Sequence, residues 1–218
     1  MSSRTVHVRC AGISQKDEQR LLTDLRELFP KAASSSVLQF SADPPSWVQV
    51  LADGPTWTAV FIIAATAYLA QLGKHMADST WEARKKARPM AIRAAGTAIE
   101  ALQRLYSILR AQRLRIGRKF SVGMALPAYG QWDVGIHLSL DDEDQFVDEM
   151  AIFVSRVDGI VHAVRVLQTA GCVPILSIGC TLTVRGIQLT WVERDENVPY
   201  EWDFDEEGIP AAPRTRRP

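Results

Sequence analysis

DGPTWTAVFIIAATAYLAQLGK, residues 53–74, is the stretch whose placement decides the fold. Between Asp53 and Lys74 no residue is charged, and a run of about 20 such residues matches the length of a bilayer span. Its apolar quality points elsewhere. Gly54, Thr56, Thr58, Thr66, Gln71, Gly73 and a series of alanines dilute Val60, Phe61, Ile62, Ile63, Leu69 and Leu72. The dense part, from Ala59 to Leu72, has the length of a buried helix. At helical spacing Trp57, Phe61, Ala65, Tyr68 and Leu72 share one face, and Ala59, Ile63, Thr66, Ala67 and Ala70 share the opposite one. A large-residue face backed by a small-residue face predicts an interior helix. It would lie between a sheet and a second, closely approaching helix. Membrane insertion and an oligomer interface are the competing readings.

N-terminal to this helix, Thr5 to Cys10 alternate and carry β-branched types, which predicts a strand ending at Gly12. Ser14 and Asp17 have capping-box spacing, and the helix they open presents Leu21, Leu22, Leu25, Leu28 and Phe29 before Pro30. Val37 to Phe40 reads as a second strand. After Asp43-Pro-Pro-Ser46, the residues Trp47, Val48, Val50 and Leu51 read as a short helix capped by Ser46. C-terminal to Gly73, Ser79 and Glu82 repeat the capping pattern. Pro89 predicts a break, and a helix from Met90 to Arg113 presents Ile92, Ala95, Ile99, Leu102, Tyr106 and Leu109 on one face.

Beyond Gly117 the apolar period changes to two. Phe120 to Leu126 and Trp132 to Leu138 predict a hairpin about Pro127–Gly130. Asp141 opens a helix carrying Phe146, Met150, Phe153, Val157, Ile160, Val164 and Leu167. Strand-like runs follow at Ile175–Ile178, Thr181–Val184 and Ile187–Val192, with Tyr200–Phe204 as an edge strand. The fold class expected is α+β: a single domain over residues 1–209 with a mostly antiparallel sheet. The order is β-α-β, a helical insertion over about 46–116, then β-β-α-β-β-β, with helices packed on one face. Residues 210–218, rich in Pro and Arg, are expected to be a disordered tail. Two domains split near Arg118 is the alternative.

The chain has 218 residues, 47% of them apolar and 23% charged, with a formal net charge of zero. It is therefore not steered as a whole toward nucleic acid or acidic lipid. Local asymmetry remains. Between Arg84 and Lys119 there are eleven Lys or Arg and one acid, Glu100. Acids gather instead at Asp141–Glu149 and Glu193–Glu207. Three cysteines, Cys10, Cys172 and Cys180, have no paired spacing, which fits a reducing cytoplasm.

No GxGxxG, GxxxxGK[ST] or GxSxG pattern is present. Among His7, His75, His137 and His162 there is no HExxH or HxxxH setting, and no metal or cofactor is expected. These absences weigh against the enzyme class without excluding it; no catalytic residue is assigned. If the chain is an enzyme, its site has to be assembled from distant residues such as Cys10, His137 and Asp133.

The expected function is a non-enzymatic cytoplasmic interaction module that binds a protein partner or a second copy of itself. Arg84, Lys85, Lys86, Arg88, Arg93 and Arg104 form the candidate partner- or anion-binding face. Tyr200, Trp202, Asp203 and Asp205 form the candidate acidic-aromatic docking strand. The bland reading of the cations is helix-dipole complementation and internal pairing with the acidic C-terminal third. A peripheral or conditionally inserting membrane protein is the alternative, with the uncharged helix and its basic neighbours meeting anionic lipid. Nucleic acid ranks below both, because the basic run lacks exposed aromatics for base stacking.

Overall fold

The structure, a computed structural model, describes residues 6–35, 47–74, 81–125, 133–136, 138–169, 178–183, 186–193 and 196–203. The expected tail, the Val37–Phe40 strand, the Ser79 cap and the Pro127–Gly130 turn lie outside them. The chain is a single α/β domain built on one mixed sheet of eight strands.

Strand β1 (Val6–Ala11) leads into α1 (Gln15–Leu25), and the chain returns to β2 (Ala33–Ser34). Ser14 caps α1: its Oγ accepts the Asp17 N–H at 3.1 Å and its hydroxyl donates to Asp17 Oδ2 at 2.6 Å. The segment expected as a short helix at Trp47 is instead strand β3 (Trp47–Asp53). Short apolar runs do not separate the two states by periodicity, and here β1 and β4 on either side claim its backbone groups. Asp53 caps the next helix, α2 (Gly54–Lys74), with Oδ1 accepting the Thr56 N–H at 2.8 Å.

Helix α3 (Trp81–Ala95) runs through Pro89 without ending there. The break comes at Gly96, whose φ of 55° lies in the left-handed region that glycine enters without a Cβ penalty. A 3₁₀ turn (Gly96–Ile99) passes into α4 (Glu100–Ile116), which stops at Gly117, φ 67°. Strands β4 (Lys119–Ala125) and β5 (Asp133–Ile136) pair as the expected hairpin. The single long helix expected after Asp141 is two: α5 (Glu143–Ser155), capped by Asp142, and α6 (Val157–Thr169), with Arg156 between them. The last strands are β6 (Ile178–Thr183), β7 (Gly186–Glu193) and β8 (Glu196–Asp203). The Ile175–Ile178 and Thr181–Val184 runs thus share the one strand β6 within the described residues.

The spatial order is β2-β1-β3-β4-β5-β6-β7-β8. A mostly antiparallel sheet is not what forms. Strands β1/β2, β3/β4 and β5/β6 pair parallel, and the other neighbours pair antiparallel. Connectivity supplies the reason. A parallel pair needs a crossover, usually helical, while a tight turn gives an antiparallel one. Helix α1, the α2–α4 group and the α5–α6 pair each sit within such a crossover. Pairing of β3 with β4 also spans Arg118, so the expected two-domain alternative does not hold.

Val6, Val8, Val48, Val50, Ala52, Val122, Met124, Val134 and Ile136 line one sheet face and share a continuous core with the described helices. Side-chain alternation along the strands sets this face. On the other face, Leu51 is fully buried and lies over Gly123, where a Cβ would stand 2.6 Å from Leu51 Cδ2. Glycine is required at that position because a Cβ would also stand 2.8 Å from the Val134 carbonyl oxygen, which the paired backbone holds in place.

Candidate interaction surfaces

Helix α2 presents two unlike faces. Trp57, Phe61, Ala64, Ala65, Tyr68 and Leu72 are buried. Trp57 stacks on Phe61 at 5.9 Å between ring centroids, meets Phe29 and Phe153 edge-on at 5.7 and 6.1 Å, and donates its indole N–H to the Gly123 carbonyl at 2.9 Å. This apolar cluster ties α2 to the segment after α1, to α5 and to the sheet.

The small-residue face was expected to receive a second helix, and among the described residues none covers it. Ala59, Ile63, Thr66 and Ala70 lie on the surface, with Val60, Ile62, Ala67 and Leu69 half-buried beside them. Ile63 is 76% exposed. The helices packed against α2, chiefly α5 and α3, leave this stripe open. Gly54–Lys74 is long and apolar enough to cross a membrane, with 39% of its most apolar window buried in the fold.

Five of the eleven cations of the basic stretch are engaged internally. Arg88 is buried and pairs with buried Asp148 of α5, its Nη2 2.6 Å and its Nε 3.2 Å from Oδ2. Arg104 pairs with Glu27, Arg113 with Asp141 at 3.1 Å, and Arg115 with Asp17 at 3.3 Å. Arg110 donates to the Tyr106 hydroxyl at 2.6 Å and lies over its ring. Glu27, Asp141 and Asp17 thus pair with three of the four cations of α4, and two of these acids come from the N-terminal segment rather than from the acidic C-terminal third. Arg88 and Arg104, proposed from the sequence as partner contacts, already have partners. Lys86 and Arg93 of that set are exposed and make no ion pair among the described residues. Arg84 and Lys85 lie in α3, and their side chains are outside the described set.

The acidic-aromatic segment is β8 at the sheet edge. Tyr200 pairs with Trp191, Trp202 with Leu189 and Asp203 with Gln188, while Asp205 lies outside the described residues. Pro199 and the acids on β8, and the two-residue length of β2 at the opposite edge, are the devices by which proteins discourage edge-to-edge pairing.

The assembled enzyme site does not come together. Cys10 pairs with Val48 toward one end of the strands, whereas Asp133 pairs with Ala125 toward the other. Three strand spacings, about 14 Å, separate β1 from β5 as well. Burial, helped by Glu18, pushes the Cys10 thiol up to about 12, so it carries little of the thiolate that nucleophilic chemistry uses. His137 lies outside the described residues. Among the described residues no group of three or more His, Cys, Asp and Glu is placed to hold a metal ion.

A buried polar junction was not anticipated from the sequence. Tyr68 of α2, Arg88 of α3 and Asp148 of α5 meet inside the helical layer. Burial, and then the Asp148 charge, raise the Tyr68 pKa, against an opposing contribution from Arg88. Glu149 accepts from the Ser139 N–H and from Gln145, both at 2.7 Å. Burial holds its carboxyl above the ordinary range, and Asp144 is raised by burial and by Asp142 and Glu143. The signal was an acid pair, Asp148-Glu149, inside a helix otherwise apolar from Phe146 to Val154.

No protein-family model, curated protein or solved structure matches the chain.

Proposed function

We propose that this protein is a non-catalytic interaction module, meeting a protein partner or a second copy of itself through the outer face of α2. The observation that carries this reading is an uncharged helix face left in water, with Ile63 76% exposed at its centre. Exposed apolar stripes of this kind mark interaction sites more often than scattered single residues do. Two further features support it. Three of the four cations of α4 are paired with acids of the same chain, and one sheet edge is a two-residue strand while the sequence of the other carries Pro199 and acids. Exposed Lys86 and Arg93 of α3, together with β8, are the remaining polar contacts a partner would find. Cytoplasmic placement belongs to the same reading and rests on free Cys10 and Cys180.

Light scattering across a wide concentration range, on wild type and Ile63→Asp, is the test. The mass of the wild type should rise with concentration and that of Ile63→Asp should not, with unchanged circular dichroism for both. A wild type that stays monomeric, in a cell extract from which it recovers no partner that Ile63→Asp loses, removes the reading. The second reading, a peripheral membrane protein, is favoured by the span-length apolarity of α2. Co-sedimentation with anionic vesicles that persists in high salt would select it over the first.

A further inference from the structure

We propose that α3 is a strap, latched onto α2 and α5 by the buried Arg88–Asp148 pair, which opens as a unit while the rest of the fold stays closed. The described side chains that α3 buries are Ala87, Arg88 and Ala91, with Ile92 and Ala95 half-buried. By contrast α5 buries Phe146, Val147, Met150, Phe153 and Val154, and α2 buries Trp57, Phe61, Tyr68 and Leu72. Apolar area sets most of what holds a helix down. From Lys86 to Ala95, where its side chains are described, α3 supplies little of it.

The latch compensates in a particular way. An ion pair at full burial gives up hydration of both charges, so its net gain over separated, hydrated groups is small. Lifting α3 returns Arg88 and Asp148 to water, which offsets much of the pairing lost. Separation therefore costs less than removing an apolar helix of equal length. Removing one partner alone has the opposite consequence: the other charge stays buried without it, and the closed state suffers.

The junction is also incompletely satisfied. Nε and Nη2 of Arg88 both donate to the same oxygen, Asp148 Oδ2. Asp148 Oδ1 has no hydrogen-bond partner among the described residues. Buried polar groups left so are uncommon, and they lower the cost of opening at this seam.

The C-terminal end of α3 allows the movement. Gly96, with its left-handed backbone, joins α3 to the 3₁₀ turn, and a helix can swing about such a residue without strain in its neighbours. Within the helix, Pro89 has no N–H to donate, so one rung of α3 is missing next to Arg88. When α3 lifts, the turn of α2 bearing Tyr68 is uncovered, which extends the open α2 surface along its flank.

Hydrogen–deuterium exchange of the full chain tests the strap without any partner, so its outcome is separate from that of the self-association experiment. In wild type, amides of α3 should exchange well before those of α2, α4 and α5. Asp148→Asn should speed α3 exchange on the order of 100-fold and leave α1, α4 and β4 near wild type. Arg88→Met combined with Asp148→Leu, which removes both charges, should return α3 to wild-type protection or better. Equal protection of α3, α2 and α5 in wild type overturns the proposal, as does faster exchange spread evenly over all helices in Asp148→Asn. Should that variant not fold, the wild-type gradient and the double variant decide by the same criteria.

Discussion

Helix α2 and the basic stretch of α3 and α4 each carry an extreme composition, and each is placed against its simplest reading. The helix without charge keeps its small-residue face in water, with Ile63 on the surface. The stretch with eleven cations sends Arg88 into the interior and binds Arg104, Arg113 and Arg115 to acids of the same chain. Composition averages over a whole element, whereas burial acts face by face. An apolar helix needs only one stripe covered to be held in a fold, and a basic helix loses its attraction for anions once acids lie alongside it.

The largest effect that sharpens the contrast lies within α2. Trp57→Ala removes a fully buried ring and its hydrogen bond to Gly123, and should cost about 4 kcal/mol in urea unfolding. Ile63→Ala on the opposite face should cost about 0.5 kcal/mol or less. Equal losses at the two positions would mean that the outer face is covered in solution. Next come the cations. Arg88→Met leaves Asp148 buried without its cation and should destabilise by about 3 kcal/mol. Arg104→Ala breaks a pair whose side chains are more than half exposed, and should cost about 0.5 kcal/mol, fading as salt is added. A salt-insensitive loss at Arg104 would contradict the screening argument.

The smallest effect concerns pH. The carboxyl of Glu149 titrates higher in the folded protein than in the open chain, because burial disfavours its charge. The folded state then holds the proton more readily than the unfolded state. Charging this group at higher pH works against folding, and the penalty disappears as pH falls toward the ordinary glutamate value of about 4.3. Wild type should therefore gain stability relative to Glu149→Gln as pH is lowered through the range above that value. A difference that stays constant with pH would show that the group is not perturbed.

Features governed by neighbours along the chain were legible. The β1 strand, the Ser14 cap and the β4–β5 hairpin follow from alternation or from one residue's backbone preference, while α4 runs on to Ile116, past the expected end at Arg113. Features governed by distant partners were not. Trp47 to Leu51 fits a helix or a strand until β1 and β4 compete for its hydrogen bonds. The halt at Gly96 rather than Pro89 depends on where the chain has to turn toward α4. Among the candidate contacts, Arg88 was grouped with surface cations because its partner, Asp148, is 60 residues away. Nothing local distinguishes it from Lys86, two positions earlier and exposed.

What the amino-acid order determined by itself is the two-sidedness of α2. Helical geometry places Trp57, Phe61, Tyr68 and Leu72 on one side and Ala59, Ile63, Thr66 and Ala70 on the other whatever surrounds them. Only the tertiary structure decided that the second side meets water, because coverage depends on where α3 and α5 settle around α2. Those positions come from the sheet register and from one ion pair across the helical layer, neither of which is written in the periodicity of any single segment.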